Sequence, residues 1–193
     1  MTYAEQPIGG FLSDVASSQV APSAGATAAV TGSLAASLCE MVCLHTSERE
    51  RTERLVEAAA ELRDRREELL TLADEDAAAV DEVQTAFEVD TDDNHEQAAL
   101  RTATEIPVQI AEAARDIATC ATVVAVDGTP NARTDAVVGA IIARAVVASA
   151  AAIVRDNIGL LDDDAFVDDV ESRLESAEAD ANAAVAAVTG QGT

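Results

Sequence analysis

Residues 132–161, ARTDAVVGAIIARAVVASAAAIVRDNIGLL, decide the fold of this chain. From Ala136 to Val154 the stretch is apolar nearly all round, and Arg144 is its one charged residue. Alanine, the best helix former, supplies much of it, which predicts a helix. A helix of this kind belongs at the centre of a bundle or at a subunit interface. A central arginine costs roughly 2.5–3.5 kcal/mol on membrane-insertion scales, which favours a buried core helix over a membrane span.

The rest of the 193-residue chain has the pattern of further helices joined by short loops. We predict helices over 8–18, 26–46, 47–87, 95–126, 132–161 and about 163–189, with an acidic loop at 89–94. Ser47 and Glu50 match the capping-box pattern at the start of the third helix, and Pro107 should kink or split the fourth. The predicted fold class is therefore all-α: one domain over residues 1–193, an up-and-down bundle of about six long, partly kinked helices.

The charge of the chain excludes several classes of protein. There are 36 acidic residues and 12 basic ones, all of them arginine, and the net charge is −24. Without lysine the chain cannot be a P-loop NTPase or an enzyme that forms a Schiff base. The negative charge argues against binding to nucleic acid or to an anionic membrane. It fits a cytoplasmic protein of an extreme halophile, because molar salt shortens the Debye length to about 3 Å and screens the repulsion.

The cysteines indicate neither a disulfide framework nor a metal site. Cys39, Cys43 and Cys120 are odd in number, which does not fit a set of disulfides. Cys39, Cys43 and His45 lack a fourth ligand and the paired short spacings of structural zinc, so we interpret the cysteines as small buried hydrophobic residues. Residues 1–10 lack the basic start and the long apolar run of a signal peptide, which also favours the cytoplasm.

Polar residues interrupt apolar surroundings at three places. The loop Pro22–Gly25 opens the second helix, whose free N–H groups could hold an anionic or carbonyl group. Asn131 and Asp135 stand at one end of the most apolar helix, and Asn157 and Asp162 stand at its other end. The residues at both ends fit helix capping as well as a binding site.

Several short motifs follow one another along the chain. They are Phe11-Leu12, Pro22-x-x-Gly25, Glu40-Met41-Val42 with Thr46, Leu72-Ala73-x-x-Asp76 with Ala79, Arg101 with Pro107, Gly128-x-x-Asn131-x-x-x-Asp135 and Asn157-x-x-x-x-Asp162-x-x-x-Phe166. In this order and spacing they resemble the cyclodeaminase/cyclohydrolase family of folate enzymes, over about residues 11–166. That family includes the C-terminal domain of formiminotransferase-cyclodeaminase and stand-alone methenyltetrahydrofolate cyclohydrolases.

The chain departs from this family pattern in the loop before the second helix. The family has Pro-Gly-Gly-Gly, whereas this loop is Pro22–Gly25 with Ser23 and Ala24 in the middle. Backbone angles open only to glycine are therefore not expected at these two positions. A serine of the family is Thr134 here, which is a mild change. An asparagine of the family is Ile153, which removes one polar contact to ligand.

The resemblance implies a subunit that dimerises through apolar helix faces and binds folate in a cleft near the dimer interface. The implied reaction is hydrolysis of 5,10-methenyltetrahydrofolate to 10-formyltetrahydrofolate, with no cofactor and no metal. Asp76 and Asp135 are the implied catalytic carboxylates, which would stabilise the cationic methenyl bridge and move protons. The implied substrate-binding residues are Pro22, Ser23, Gly25, Glu40, Arg101, Asn131, Asn157 and Asp162.

The substrate also carries a negative glutamate tail. Arg101, followed by Arg49 or Arg51, is the candidate to bind it, because a guanidinium pairs with both oxygens of a carboxylate. Two alternatives to the cyclohydrolase remain. A formimidoyltetrahydrofolate cyclodeaminase, which releases ammonia, would use the same pocket, although the lack of a formiminotransferase domain favours hydrolysis. A non-catalytic helical dimer module would use the apolar helix only as an interface.

Overall fold

The computed structural model describes residues 2–88 and 93–190, and within them the chain is helical with no strand. The six α-helices of these residues are α1 Ile8–Val15, α2 Ala24–His45, α3 Glu53–Glu88, α4 Asp93–Asp127, α5 Arg133–Asn157 and α6 Asp164–Gly190. Short 3-10 turns lie at Tyr3–Glu5, Pro130–Ala132 and Ile158–Leu160. The predicted all-α class is confirmed. The predicted acidic loop at 89–94 falls mostly outside the described residues, and α4 already begins before its predicted start.

Helices α2 to α5 form a closed four-helix bundle. Each contacts the next along the chain, α2 also contacts α5, and α6 packs on the outside against α4 and α5. Gly25 lies beside Asp76, and Glu40 lies beside Arg63, so α2 and α3 run in opposite directions. The predicted up-and-down arrangement is confirmed.

Small residues allow α2 to approach its neighbours closely. A Cβ atom at Gly32 of α2 would crowd Leu69 of α3, and a Cβ atom at Gly139 of α5 would overlap the sulfur of Cys39. The distance between packed helices depends on the side chains at their contact, so glycine at these two positions brings α3 and α5 close to α2. Cys39 and Cys43 are buried in the resulting core, as predicted.

The third helix begins later than the capping box predicts. Ser47 Oγ donates a hydrogen bond of 2.6 Å to the Glu50 carboxylate instead of accepting one from a backbone N–H. Thr52 is the cap that forms, because its Oγ accepts the N–H of Leu55 at 3.2 Å. Pro107 lies inside the continuous helix α4, so of the two predicted effects the split is wrong and the kink stays a prediction.

The bundle leaves one apolar face of α2 and α5 uncovered. Its exposed large side chains include Leu34 of α2 and Val138 and Ile141 of α5. By length and composition alone, α2 and the stretch Pro130–Leu160 could each cross a membrane, but the core helix of a soluble protein passes the same test, and their most apolar windows are 56% and 44% buried in the bundle. The predicted burial of α5 is therefore confirmed on one side of the helix, and its other side is exposed.

Candidate active site

The predicted catalytic residue Asp76 belongs to α3, and its carboxylate lies beside the first turn of α2. The residue is 4% exposed. Its Oδ2 accepts hydrogen bonds from the Ala26 N–H at 2.8 Å and from Ser23 Oγ at 3.1 Å. The first N–H groups of a helix have no partner within that helix, and the helix dipole favours negative charge beside them. Asp76 therefore caps α2 from a neighbouring helix.

The close approach of Asp76 requires glycine at position 25. A Cβ atom on Gly25 would overlap the carboxylate. Ser23 and Ala24 need no such freedom, since no described residue has a positive φ, and the expectation for these two positions is confirmed. The second carboxylate oxygen, Oδ1, lies against Gly25, accepts no hydrogen bond from the described residues and retains contact with solvent.

The surroundings of Asp76 favour the transfer of a proton to it. Burial raises the pKa of Asp76 above its ordinary value, and the hydrogen bonds from Ala26 and Ser23 lower it by less. A carboxylate with a raised pKa is a stronger proton acceptor near neutral pH. Oδ1 has no donor from the described residues, so it is the oxygen that can accept a proton from a bound molecule.

A cavity of about 460 Å³ opens beside the loop that precedes α2, and we call it the α2 cleft. It is lined by Val15, Pro22, Ser23, Ala24, Thr27, Ala28, Thr31, Ala145, Val146 and Ser149. None of these residues is ionisable, and the four hydroxyl groups are the polar side chains of the cleft. Its volume lies within the range of about 300–1,000 Å³ that is usual for small-molecule sites. Ser23 connects the cleft to Asp76 through its hydrogen bond.

A second and larger cavity, of about 760 Å³, lies between α3 and α4. Its charged lining residues are Glu75, Glu82, Arg101 and Glu105. The guanidinium carbon of Arg101 lies 4.1 Å from the centre of the Phe166 ring, and the guanidinium also pairs with Asp163. Such stacking and pairing hold the side chain in place. Arg101 is therefore already bound to a carboxylate of its own chain.

Glu40, Asn131 and Asp135 lie at the opposite end of the bundle from Asp76. Glu40 is 7% exposed, and its two oxygens lie 3.1 Å from Arg63 Nε and 3.5 Å from Arg66 Nε. Asn131 is exposed in the turn before α5, and Asp135 is half-buried in the first turn of α5. The Glu40 carboxylate is thus neutralised by ion pairs between α2 and α3.

One chain does not bring Asp76 and Asp135 into one cavity. Asp76 contacts Ala26, whereas Gly139, one turn beyond Asp135, lies against Cys39. At about 1.5 Å per helical residue, these two contact points on α2 are roughly 20 Å apart. The predicted site residues therefore divide into a group at the start of α2 and a group near its end.

Asn157 and Asp162 belong to the end of the bundle that holds Asp76. Asn157 Nδ2 donates a hydrogen bond of 3.0 Å to the backbone carbonyl of Ala103 in α4. The Asp162 backbone N–H donates to the Gln97 side chain at 3.0 Å, and the Asp162 carboxylate is exposed. The amide of Asn157 is thus used in packing α5 against α4, while the carboxylate of Asp162 is available to a ligand.

Sequence reasoning missed Tyr3, the single tyrosine of the chain. Its ring packs edge-to-face on Phe11 with the centroids 5.2 Å apart, and its N–H donates to Asp74 Oδ1 at 2.9 Å. Burial raises the pKa of the Tyr3 phenol, and the charges of Asp74 and Asp76 add to the effect. The phenol therefore lies near Asp76. A single aromatic residue before the first helix has no periodic spacing that could have indicated this.

Comparisons with known proteins show the family and the fold of the chain. The model of the formiminotransferase-cyclodeaminase family matches residues 7–176. The chain belongs to this family. Methenyltetrahydrofolate cyclohydrolase from Methylorubrum extorquens is 32% identical over 188 residues, which are 90% of this chain and 89% of that protein. The crystal structure of formiminotetrahydrofolate cyclodeaminase from Thermotoga maritima is 24% identical to this chain in sequence. The two superpose with a TM-score of 0.92 over 97% of this chain and 96% of that chain, so they share one fold. The resemblance seen in the sequence is confirmed.

Proposed function

We propose that this chain is a methenyltetrahydrofolate cyclohydrolase, which hydrolyses 5,10-methenyltetrahydrofolate to 10-formyltetrahydrofolate in one-carbon metabolism. The observation that carries the proposal is Asp76, a buried carboxylate of raised pKa that accepts a hydrogen bond from Ser23, a lining residue of the α2 cleft. The similarity to the Methylorubrum extorquens enzyme supports it. Hydrolysis transfers no electrons and no carried group, so we propose that no redox or carrier cofactor takes part. We also propose that the enzyme uses no metal and works in the cytoplasm.

The proposed mechanism uses two carboxylates. The methenyl bridge is a cationic amidinium, which a nearby carboxylate stabilises. Asp76 accepts one proton from water as the water oxygen bonds to the bridge carbon. The bond from this carbon to N5 then breaks, and N5 receives a proton through Asp135. Water thus supplies the formyl oxygen, one proton stays on N5, and one is released.

We propose that the two carboxylates meet across a dimer interface. The uncovered face of α2 and α5, with Leu34 and Ile141 near its middle, is an apolar patch of the kind that binds a partner. In a two-fold dimer with antiparallel α2 helices, the start of α2 faces the end of the partner's α2. Asp76 then approaches the partner's Asp135, and both groups of predicted residues serve one site.

The experiment that tests this function is turnover of methenyltetrahydrofolate, followed by its absorbance in KCl of molar concentration. Asp76→Asn and Asp135→Asn should each reduce the rate by about 10²-fold or more with the fold intact, as expected for loss of a general acid or base. Full turnover in both variants would show that the site assignment is wrong.

Mixing the two variants tests the shared site. In a heterodimer of Asp76→Asn with Asp135→Asn, one site has both carboxylates and the other has neither. Random reassociation should therefore recover about a quarter of the wild-type activity if the dimer is two-fold symmetric. If the separate variants are inactive and their mixture stays inactive, the site does not lie between subunits.

The cyclodeaminase is the second candidate, because the chain shares its fold with the Thermotoga maritima protein. Faster release of ammonia from formimidoyltetrahydrofolate than hydrolysis of the methenyl compound would favour it. A wild-type protein that converts neither compound would favour the non-catalytic dimer module.

A further inference from the structure

The arginines of the chain are concentrated in one segment. Residues 47–66 contain six of the twelve arginines together with six acidic residues, so this segment is neutral and the rest of the chain carries the whole net charge of −24. The segment covers the turn after α2 and the first part of α3. An anionic ligand is therefore repelled less here than elsewhere on the surface.

A cavity of about 250 Å³ lies in this segment, between the end of α2 and the start of α3, and we call it the arginine cavity. Its charged lining residues are Arg51 and Arg63, and no acidic residue lines it. Leu44, Leu55 and Val56 contribute apolar walls. Other cavities differ: the α2 cleft has no charged lining residue, and three more have one arginine each together with two or more acidic residues.

Both guanidinium groups have donors left for a ligand. Arg51 uses Nε and Nη2 to bind the backbone carbonyls of Thr46 and Leu44, which leaves its Nη1 without an acceptor in the described residues. Arg63 uses Nε to bind Glu40, its two Nη groups have no partner among the described residues, and its side chain is 53% exposed. Free guanidinium donors above apolar walls match a carboxylate attached to an apolar stem.

We propose that the arginine cavity binds the terminal glutamate of the folate substrate, an inference that rests on the proposed function. The cavity is smaller than the usual site of about 300–1,000 Å³ for a whole ligand, so it suits an end group and not a pteridine. Burial raises the pKa of the Cys43 thiol in its wall to about 11, and the neutral thiol does not repel an anion. In the proposed dimer this end of α2 faces the partner's Asp76, which places the cavity beside a shared site.

The experiment compares two substrates that differ only in this tail: methenyltetrahydrofolate with one glutamate, and methenyltetrahydropteroate with none. Arg63→Gln should raise KM for the glutamate substrate by about tenfold or more, the usual effect of losing a charge-assisted hydrogen bond, and leave kcat unchanged. KM for the pteroate substrate should not change. Arg54→Gln removes the same charge from the same helix but lies outside the cavity, so it is the matched control.

Arg63→Lys controls for a folding defect, because lysine keeps a cation beside Glu40 and lacks only the planar guanidinium donors. It should melt like the wild type and still raise KM for the glutamate substrate. Equal changes of KM for both substrates, or equal changes in Arg63→Gln and Arg54→Gln, would overturn the proposal.

A binding titration separates this proposal from the proposed function. Ligand-observed NMR with p-aminobenzoylglutamate should show binding to the wild type and loss of binding in Arg63→Gln, even if the wild type converts neither methenyl substrate. Absence of binding to the wild type overturns the proposal. A third outcome is that glutarate binds to the wild type and not to Arg63→Gln, while KM for methenyltetrahydrofolate is the same in both proteins. The cavity would then bind a separate dicarboxylate, and its assignment to the folate tail would be wrong.

Discussion

The side-chain amide of Asn157 donates a hydrogen bond of 3.0 Å to the carbonyl of Ala103, four residues before Pro107. In a regular helix the N–H of residue 107 would bond to this carbonyl, but proline has no N–H. The end of α5 therefore supplies the donor that α4 lacks. This contact explains why α4 remains continuous through a proline in its interior.

We expect Asn157→Ala to lower the free energy of unfolding by about 1–3 kcal/mol, because it leaves a carbonyl without a partner. Pro107→Ala restores the helical donor, so Asn157→Ala should cost less in that background. Urea denaturation of the two single variants and the double variant measures this coupling. Strictly additive effects would contradict the role assigned here. A raised KM in Asn157→Ala without loss of stability would instead support the predicted contact to substrate.

Gly25→Ala should damage the site through Asp76. The added methyl group overlaps the carboxylate, so Asp76 must move away from the start of α2. If Asp76 is the general base, turnover should fall by about 10²-fold or more, and the melting temperature should fall with it. Gly9→Ala is the control, because no atom lies within 4 Å of its added Cβ. This second change should be neutral or stabilise α1 by up to about 1 kcal/mol. Wild-type turnover in Gly25→Ala would show that the position of Asp76 does not matter.

Asp76→Asn should stabilise the fold at neutral pH while it reduces activity. Burial raises the pKa of Asp76 in the folded protein above its unfolded value, so the folded protein holds this proton to higher pH than the unfolded chain does. The stability that this proton contributes is complete below the unfolded pKa, near about 4, and is lost as pH rises through the folded pKa. Asparagine carries no charge and still offers an oxygen to the Ala26 N–H.

The melting temperatures of wild type and Asp76→Asn therefore need to be compared at two values of pH. The variant should melt higher than the wild type at pH 7, and the difference should shrink below pH of about 4, where both side chains are neutral. A variant that is less stable than the wild type at pH 7 would show that the ionised carboxylate stabilises the start of α2.

The elements that depend on local pattern could be predicted from the sequence, and those that depend on tertiary contact could not. The apolar run of α5 was indicated by composition, and the family motifs implied that Asp76 and the loop Pro22–Gly25 belong to one site. The hydrogen bonds of Asp76 to Ser23 and Ala26 were not predicted. The bond from Asn157 to Ala103 joins residues 54 positions apart and has no sequence signature. The separation of Asp76 from Asp135 follows from the directions of packed helices, which residue types alone do not specify.

The charge of −24 predicts that salt stabilises this protein. Salt acts in two opposite ways. It weakens ion pairs, the exposed ones most, although an exposed pair contributes only about 0–1 kcal/mol. The pairs of Arg173 with Glu105 and Glu112 are part-buried and bidentate, so they are screened less. Salt also screens the mutual repulsion of the uncompensated acidic residues, which lie outside the neutral segment 47–66. The second effect involves more charges, so the melting temperature should rise between 0.1 and about 2 M KCl, where the Debye length falls to about 3 Å or less.

Arg173→Gln separates the two effects of salt. The variant loses ion pairs to α4, so its melting temperature should be lower than that of the wild type at 0.1 M KCl. The difference between the two melting temperatures should be smaller at high salt, because the same ion pairs are screened in the wild type. Scanning calorimetry at both salt concentrations measures the shift in wild type and variant. A wild-type melting temperature that is higher at 0.1 M than at high KCl would mean that the ion pairs outweigh the repulsion and that the chain is not adapted to molar salt.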